Sequence, residues 1–257
     1  MRELIFDLET CPAKVWVWRA YKIDSVIEVI EDTKILSIAW KWADEKRIYS
    51  MCLADFPDYK PGIVDDKSIT IFTRDLISKA DIAVAHNGKR FDIKMAYGRM
   101  FMNGLKPPRE PLLIADPKAE ASSRFLLVKN NLEYMSLRRG GKPKTEHEGF
   151  ALWKKCMAGD LDAWKRMKKY NRNDVRILEP LYFQMKPWMA KKFPNANLVH
   201  GEAGLCRVPG CGGASFNKDG WGYNGVSRYQ KLRCKKCGAP NRRAPEILPQ
   251  KERPLIR

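Results

Sequence analysis

Short apolar stretches interrupted or ended by polar residues occur in the first half of the chain, and this pattern predicts β-strands. Residues 3–9, 35–42 and 47–53 are such stretches, and the polar pair Asp44-Glu45 separates the last two. Residues 81–87 form a run rich in aliphatic side chains, which is typical of a buried strand, and residues 112–116 predict the last strand of the sheet.

Helical spacing of apolar residues is found between these strands and throughout the region that follows them. Two helices are predicted over about residues 70–80 and 91–102, and Asn103-Gly104 closes the second. From about residue 131 the pattern is helical, and the longest helix begins near Leu161. Strands that alternate with helices predict an α/β fold.

The composition changes near residue 200, where Gly, Cys, Arg and Lys replace the helical pattern. We therefore expect a main domain over 1–190, a linker over 191–199, a small C-terminal domain over 200–245 and a basic tail over 246–257.

The chain is strongly basic, with 48 Lys and Arg against 30 Asp and Glu and a net charge of +18. Such an excess indicates a polyanionic partner, although a basic surface kept for solubility is the alternative.

The N-terminus has no apolar signal segment, and no uncharged stretch approaches the ~20 residues that span a bilayer. We expect a cytoplasmic protein with no membrane partner. Seven cysteines, four of them clustered, favour a reducing compartment and a metal site over disulfides.

Two acidic residues in the first strand are candidates for metal binding. Asp7 and Glu9 are two positions apart, so both side chains lie on one face of the sheet. Neighbouring carboxylates repel each other unless a cation neutralises them, and Mg²⁺ and Mn²⁺ prefer oxygen ligands. A strand end whose carboxylates reach solvent is the alternative explanation.

Two further segments contain acidic candidates. Asp92 follows the strand 81–87 and lies near the start of a helix, where an aspartate also favours the helix dipole without any catalytic role. Tyr170 and Asp174 are four residues apart on the longest helix and therefore share a face. On its own, Asp174 is better explained by an exposed basic helix in which it pairs with neighbouring Lys and Arg residues.

The order of these segments adds information that none has alone. Phe6–Thr10, His86–Asp92 and Tyr170–Asp174 together resemble the three motifs of the DEDDy group of 3′→5′ exonucleases, over about residues 1–185. The chain is also similar to small phage-type exonucleases that lack a polymerase domain and end in a zinc ribbon. The resemblance implies an RNase H-like mixed sheet flanked by helices, and a phage-encoded protein in a bacterial host.

The resemblance also implies a mechanism with two Mg²⁺ or Mn²⁺ ions. Asp7 would bridge both ions, Glu9 and Asp174 would bind the ion on the nucleophile side, and Asp92 would act on the other through bound water. Tyr170 would orient the attacking water, because a pKa near ~10 suits hydrogen bonding better than proton removal.

Three neighbouring residues are implied as contacts to the terminal nucleotide. They are Thr10, Asn87 and Phe91. Phe91 could stack against a base, but an aromatic residue at the start of a buried helix is more often part of the core, so we expect Phe91 in the core first.

The clustered cysteines form two pairs, Cys206 with Cys211 and Cys234 with Cys237. Four thiolates favour one structural Zn²⁺, which would supply much of the folding free energy of so small a ribbon. The first pair has four intervening residues instead of two, so His200 is a substitute ligand, and four metal-free cysteines are the alternative. Basic and aromatic residues of the ribbon suit a single-stranded nucleic acid: Arg207, Lys218, Arg228, Lys231, Arg233, Lys235, Lys236, Arg242 and Arg243, with Trp221, Tyr223 and Tyr229.

The expected function is hydrolysis of DNA at a single-stranded 3′ end, as in proofreading for a DNA polymerase on a separate chain. An exoribonuclease that acts on RNA 3′ ends is one alternative, because the metal chemistry does not depend on the 2′-hydroxyl. A non-catalytic nucleic-acid-binding module is the other, and the complete acidic set argues against it.

Overall fold

The computed structural model describes residues 2–19, 21, 25–108, 112–143, 148–189, 204–206, 211–224 and 227–243. The chain divides into two compact units, Met1–Ala190 and Lys191–Arg257. The predicted linker, the predicted tail, His200 and Arg207 lie outside the described residues.

A mixed sheet forms the centre of the first unit. The strands described in this unit are β1 (Glu3–Thr10), β2 (Lys14–Trp16), β3 (Glu28–Glu31), β4 (Ile35–Trp42), β5 (Tyr49–Cys52), β6 (Ile82–Val84) and β7 (Leu113–Ala115). Five of them form a sheet in the order β5-β4-β1-β6-β7, and β2 pairs with β3 in a separate hairpin. Strand β1 is antiparallel to β4 and parallel to β6, which is parallel to β7.

Helices flank this sheet. They are α1 (Lys67–Ile77), α2 (Asp92–Met102), α3 (Pro117–Arg124), α4 (Leu132–Arg138), α5 (Phe150–Met157) and α6 (Leu161–Met185), with 3₁₀ turns at Leu53–Asp55 and Lys186–Met189. None of the described helices combines the length and the apolar character needed to cross a bilayer.

The two faces of β1 carry different side chains, one apolar and one acidic, because successive side chains point to opposite sides of a strand. Leu4, Phe6 and Leu8 are buried in the main apolar core. Asp7 and Glu9 lie on the opposite face, which α6 covers. Because the carboxyl ends of parallel strands meet at one edge, the segments after β1, β6 and β7 come together there.

The second unit contains a three-stranded antiparallel sheet. Its described strands are β8 (Phe216–Asn224), β9 (Ser227–Cys234) and β10 (Pro240–Arg242), in the order β10-β9-β8. The side chain of Tyr223 lies outside what the structure describes.

The predicted α/β class, a mixed sheet flanked by helices with a small C-terminal cysteine-containing unit, is confirmed. The β2–β3 hairpin and helices α3 to α5 were not predicted individually. The strand predicted over residues 81–87 is shorter than expected, because its last residues form the turn that leads into α2.

A buried ion pair ties the start of α1 to α2. Two of the guanidinium nitrogens of Arg99, Nε and Nη2, donate to the carboxylate of Asp66, at 2.7 and 2.8 Å. Asp66 is 1% exposed and also accepts from the Ile35 backbone N–H and from Asn103. Because each lone pair of Asp66 has a donor, the pair orients α1 and α2 against β4.

We predict that Arg99→Met destabilises the protein by about 3–5 kcal/mol, because it leaves the Asp66 carboxylate buried without its cation. Urea unfolding followed by circular dichroism at 222 nm measures this loss. Lys14→Met is the matched control, since it removes an exposed cation that pairs with Glu31 in the β2–β3 hairpin and should change little. Equal losses in the two variants would contradict the prediction.

Candidate metal centres

Three carboxylates from β1 and α6 converge at one point. Asp7, Glu9 and Asp174 each offer one oxygen atom, and these oxygens all lie within 4.8 Å of one another. Asp174 is buried on the sheet-facing side of α6, whereas Asp7 and Glu9 are half-buried. Three negative charges at this separation repel strongly in a partly buried site, so the donor set suits divalent cations with oxygen ligands.

Asn171 holds one of these carboxylates in place. Its side-chain Nδ2 donates to Asp7 Oδ2 at 2.7 Å and to the Asp7 carbonyl oxygen at 3.2 Å. Its Oδ1 accepts from the Ser37 hydroxyl at 3.2 Å, and the Asn171 side chain is fully buried. The chain Ser37–Asn171–Asp7 thus joins β4, α6 and β1 behind the carboxylates.

Sequence analysis missed Asn171 and Ser37 as positioning residues. Asn171 lies next to Tyr170 and three positions before Asp174, so its place on the buried face of the helix was the available signal. Ser37 lies opposite Glu9 in the β1–β4 register, which is known only once the strands are paired.

Asp92 lies beside β1 but outside the three-carboxylate group. Its Oδ1 accepts from the Leu8 backbone N–H at 3.1 Å, between Asp7 and Glu9 along the strand. Burial raises the pKa of Asp92 to about 7, although the Leu8 N–H opposes the rise, and the negative charge of Asp116 adds to it. A nearby divalent cation would favour the ionised carboxylate.

Asp116 organises the turn that precedes Asp92. Its carboxylate accepts from the backbone N–H groups of Asn87 and Lys89, both at 3.0 Å, and it caps α3 through the Ala119 N–H. Asn87 has a φ of 81°, a conformation that asparagine tolerates better than most residues. The signal for Asp116 was an Asp-Pro pair after a strand, which is typical of a helix N-cap.

Gly88 is required in the same turn. A Cβ atom at this position would lie 2.6 Å from the Ala85 Cβ. Any larger residue would therefore push apart the turn that places Asp92 at the start of α2.

The predicted nucleotide contacts line two hollows next to the carboxylates. Thr10 and Phe91 line a largely apolar cavity of about 540 Å³, together with Trp153. Phe91 is 38% exposed, so its interpretation as a core residue is wrong. Asn87 lines the other cavity, of about 410 Å³, with Asp7, His86, Lys118 and Asp174 among its walls.

Tyr170 lies one helical turn before Asp174 on α6 and is half-buried. The Trp153 ring packs edge-on against it, with the ring centroids 5.9 Å apart and the planes at 72°. Trp153 also lines the apolar cavity, so the Tyr170 ring packs against one wall residue of this cavity.

The four clustered cysteines of the second unit form another candidate centre. The Cys206 and Cys237 sulfurs are 3.6 Å apart, those of Cys211 and Cys234 are 3.9 Å apart, and all four lie within 4.8 Å of one another. A tetrahedral set of sulfurs ~2.3 Å from zinc has separations of about 3.8 Å, so the group fits Zn²⁺. The Cys237 backbone N–H lowers the pKa of Cys234 to about 7, which favours its thiolate. The pKa of Cys237 is raised against the lowering effect of the Ala239 backbone N–H, because burial and the neighbouring sulfurs disfavour a second thiolate.

The four intervening residues of the first cysteine pair therefore do not prevent Cys206 and Cys211 from meeting the second pair. Asn241 donates from Nδ2 to the Cys206 sulfur at 3.5 Å and supports the cluster from β10.

Comparisons with known proteins show a likeness of fold. No protein-family model matches the chain, and no curated protein matches it. Among solved structures, the chain is similar to a family B DNA polymerase from the hyperthermophilic archaeon Pyrobaculum calidifontis, with a TM-score of 0.53 and 16% sequence identity. The match covers 87% of this chain and 31% of the polymerase, so the chain spans about a third of that protein's length.

We predict that the protein, purified without chelator, contains about one zinc ion per chain and that Cys234→Ser loses it. Elemental analysis by inductively coupled plasma mass spectrometry measures the zinc content. Cys156→Ser is the matched control, because Cys156 is also buried but lies in α5, outside the cluster. Wild-type protein without zinc, or zinc retained by Cys234→Ser, would disprove the assignment.

Proposed function

We propose that this protein is a divalent-metal-dependent 3′→5′ exonuclease that hydrolyses phosphodiester bonds at DNA 3′ ends. The observation that carries the proposal is the convergence of Asp7, Glu9 and Asp174 within 4.8 Å. These residues belong to the segments that resemble the DEDDy motifs. The fold likeness to part of a DNA polymerase supports DNA as the substrate.

The acidic residues would hold two Mg²⁺ or Mn²⁺ ions, which supply an activated water and stabilise the charge on the leaving 3′ oxygen. Asp7, which Asn171 orients, would bind both. Glu9 and Asp174 would bind on the side of the attacking water, and Asp92 would act through an intervening water. In the reaction, water would attack phosphorus and the P–O3′ bond would break. The 3′ oxygen of the shortened strand would take up a proton, and a nucleoside 5′-monophosphate would be released.

Tyr170 would orient the attacking water through its hydroxyl group. The edge-on packing of Trp153 restricts the tyrosine ring and so favours one position of that hydroxyl. Thr10 and Phe91 would contact the terminal nucleoside in the apolar cavity, and Asn87 would contact it from the adjacent hollow. Proofreading for a polymerase on a separate chain is the biological role that this activity suits.

We expect Asp174→Asn to reduce metal-dependent release of 3′ nucleotides by on the order of a thousandfold, or about 4 kcal/mol of transition-state stabilisation. The replacement keeps the shape of the side chain but removes a ligand charge. The assay follows the shortening of a 5′-labelled single strand with Mg²⁺ or Mn²⁺. Asp162→Asn, at an exposed position in the first turn of α6, should keep wild-type rates.

Matched DNA and RNA strands in the same assay distinguish the two nuclease hypotheses. Faster cleavage of RNA would replace the proposed substrate by RNA 3′ ends. A strand with a blocked 3′ end should resist cleavage if the enzyme acts from that end. Wild-type protein that binds the strand without shortening it would favour the non-catalytic module.

Asn171→Ala should lower activity and metal affinity about 10- to 100-fold, because the supporting hydrogen bond to a metal-binding carboxylate is lost. The readout is the Mn²⁺ concentration that gives half-maximal activity. Asn173→Ala is the control, since Asn173 is buried on the same helix and accepts from Arg176. A Mn²⁺ midpoint that is equal in the two variants would remove Asn171 from the site.

A further inference from the structure

The sheet of the second unit has two different faces, and strand pairing defines them. On β9, Gln230, Leu232 and Cys234 share one face, and Tyr229, Lys231 and Arg233 share the other, because side chains alternate along a strand. The first is here called the zinc-side face, because it carries Cys234. Asn241 of β10 pairs with Leu232 and lies on the same face, where its side chain contacts the Cys206 sulfur.

The opposite face, here called the distal face, carries three exposed cations. Register places Arg242 of β10 opposite Lys231, so Lys231, Arg233 and Arg242 lie on the same side of the sheet. All three are exposed. Arg233 pairs with Asp219, which is the only acidic residue among the described residues of this unit, against eight Lys and Arg. The distal face therefore keeps a positive charge after this pairing.

An aromatic ring lies among these cations. Tyr229 is half-buried on the distal face opposite Gly222 of β8. A Cβ atom at Gly222 would lie 2.4 Å from the tyrosine ring, so the ring occupies the space that a side chain would take. The Arg242 guanidinium is 5.2 Å from the ring centroid. Rings and guanidinium planes both stack on unpaired bases, and neighbouring cations contact phosphates.

The zinc-side face also carries exposed cations, among them Lys218 and Arg228, together with the exposed Trp221 ring. The Arg228 guanidinium stacks 3.7 Å from the centroid of this ring, whereas the Arg242 guanidinium on the distal face is 5.2 Å from the Tyr229 centroid. The cation and the ring of the zinc-side face therefore cover each other more closely than those of the distal face.

We propose that the distal face binds single-stranded nucleic acid, with Lys231 and Arg242 contacting phosphates and Tyr229 contacting a base. The inference concerns the second unit alone and does not depend on the nuclease activity. Its charge and its ring match the anionic backbone and the unpaired bases of a single strand.

The test compares two double variants that remove the same charge from opposite faces. Lys231→Ser/Arg242→Ser changes the distal face, and Lys218→Ser/Arg228→Ser changes the zinc-side face. Both are made in the full chain with Asp174→Asn, so that the probe stays intact. Fluorescence anisotropy with a labelled 20-residue oligothymidylate gives the association constant at several salt concentrations, and elemental analysis verifies that zinc is retained.

The slope of log K against log salt is negative, and the distal-face variant should make it less steep by about 1.4. This change corresponds to the loss of two phosphate contacts, at about 0.7 each on a single strand. The affinity of the distal-face variant near 0.1 M salt should fall by about tenfold or more, whereas the zinc-side variant should bind like the parent. Equal weakening in both variants, or in neither, overturns the proposal. Competition by polyglutamate as strong as that by the oligonucleotide also overturns it, in favour of an acidic protein partner.

A second measurement requires no change at the surface. In the Asp174→Asn protein, bound oligothymidylate should protect Lys231 from acetylation by a lysine-specific reagent and leave Lys218 reactive, as read by mass spectrometry. Protection of Lys218 with Lys231 unprotected would place the strand on the other face and refute the proposal. Because neither measurement scores cleavage, a protein that cuts no DNA would fail the nuclease assay and could still pass these tests.

Discussion

The mutual repulsion of Asp7, Glu9 and Asp174 is the constraint on which the rest of the first unit depends. Their oxygens lie within 4.8 Å, in a position where water screens charge poorly. Neutral donors behind the carboxylates and cations in front of them would both reduce this repulsion. Asn171 is such a donor, because an amide hydrogen-bonds to Asp7 without adding a charge that would compete with a metal ion.

The other side of the site is held by a carboxylate in a supporting role. Asp116 binds backbone N–H groups of the turn after β6 and caps α3, so one side chain fixes both the turn and the helix. The turn ends at Asp92, whose own carboxylate is tied to the Leu8 N–H in β1. Asp92 thus stays close to the three converged carboxylates without joining them, and its raised pKa reduces the repulsion it adds in the metal-free protein.

Much of the fold could be predicted from the sequence, because its signals are local. The apolar stretch around Asp7 identified β1, and the helical spacing after Leu161 identified α6. The β2–β3 hairpin gave little signal, since its valines, isoleucines and tryptophans are largely exposed and do not follow a buried-face pattern. Asn171 and Ser37 could not be identified as partners, because their contact depends on a pairing across 134 positions of the chain. Phe91 is a different case, because its position was predicted wrongly instead of being missed. An aromatic residue at the start of a helix suggests burial in the core, but Phe91 borders a cavity.

The charge of the whole chain and the charge of the site have opposite signs, and the proposed activity needs both. A net charge of +18 attracts a polyanion over distances of about a Debye length, roughly 8–10 Å, from many directions. The converged carboxylates would repel the same phosphate at short range unless cations neutralise them. Binding of the strand and entry of its end into the site are therefore separate steps of the proposed activity. The first step should depend mainly on salt concentration, and the second mainly on bound metal ions. The proposed binding to the distal face concerns the first step and uses cations of the second unit, whereas the second step depends on the carboxylates of the first unit.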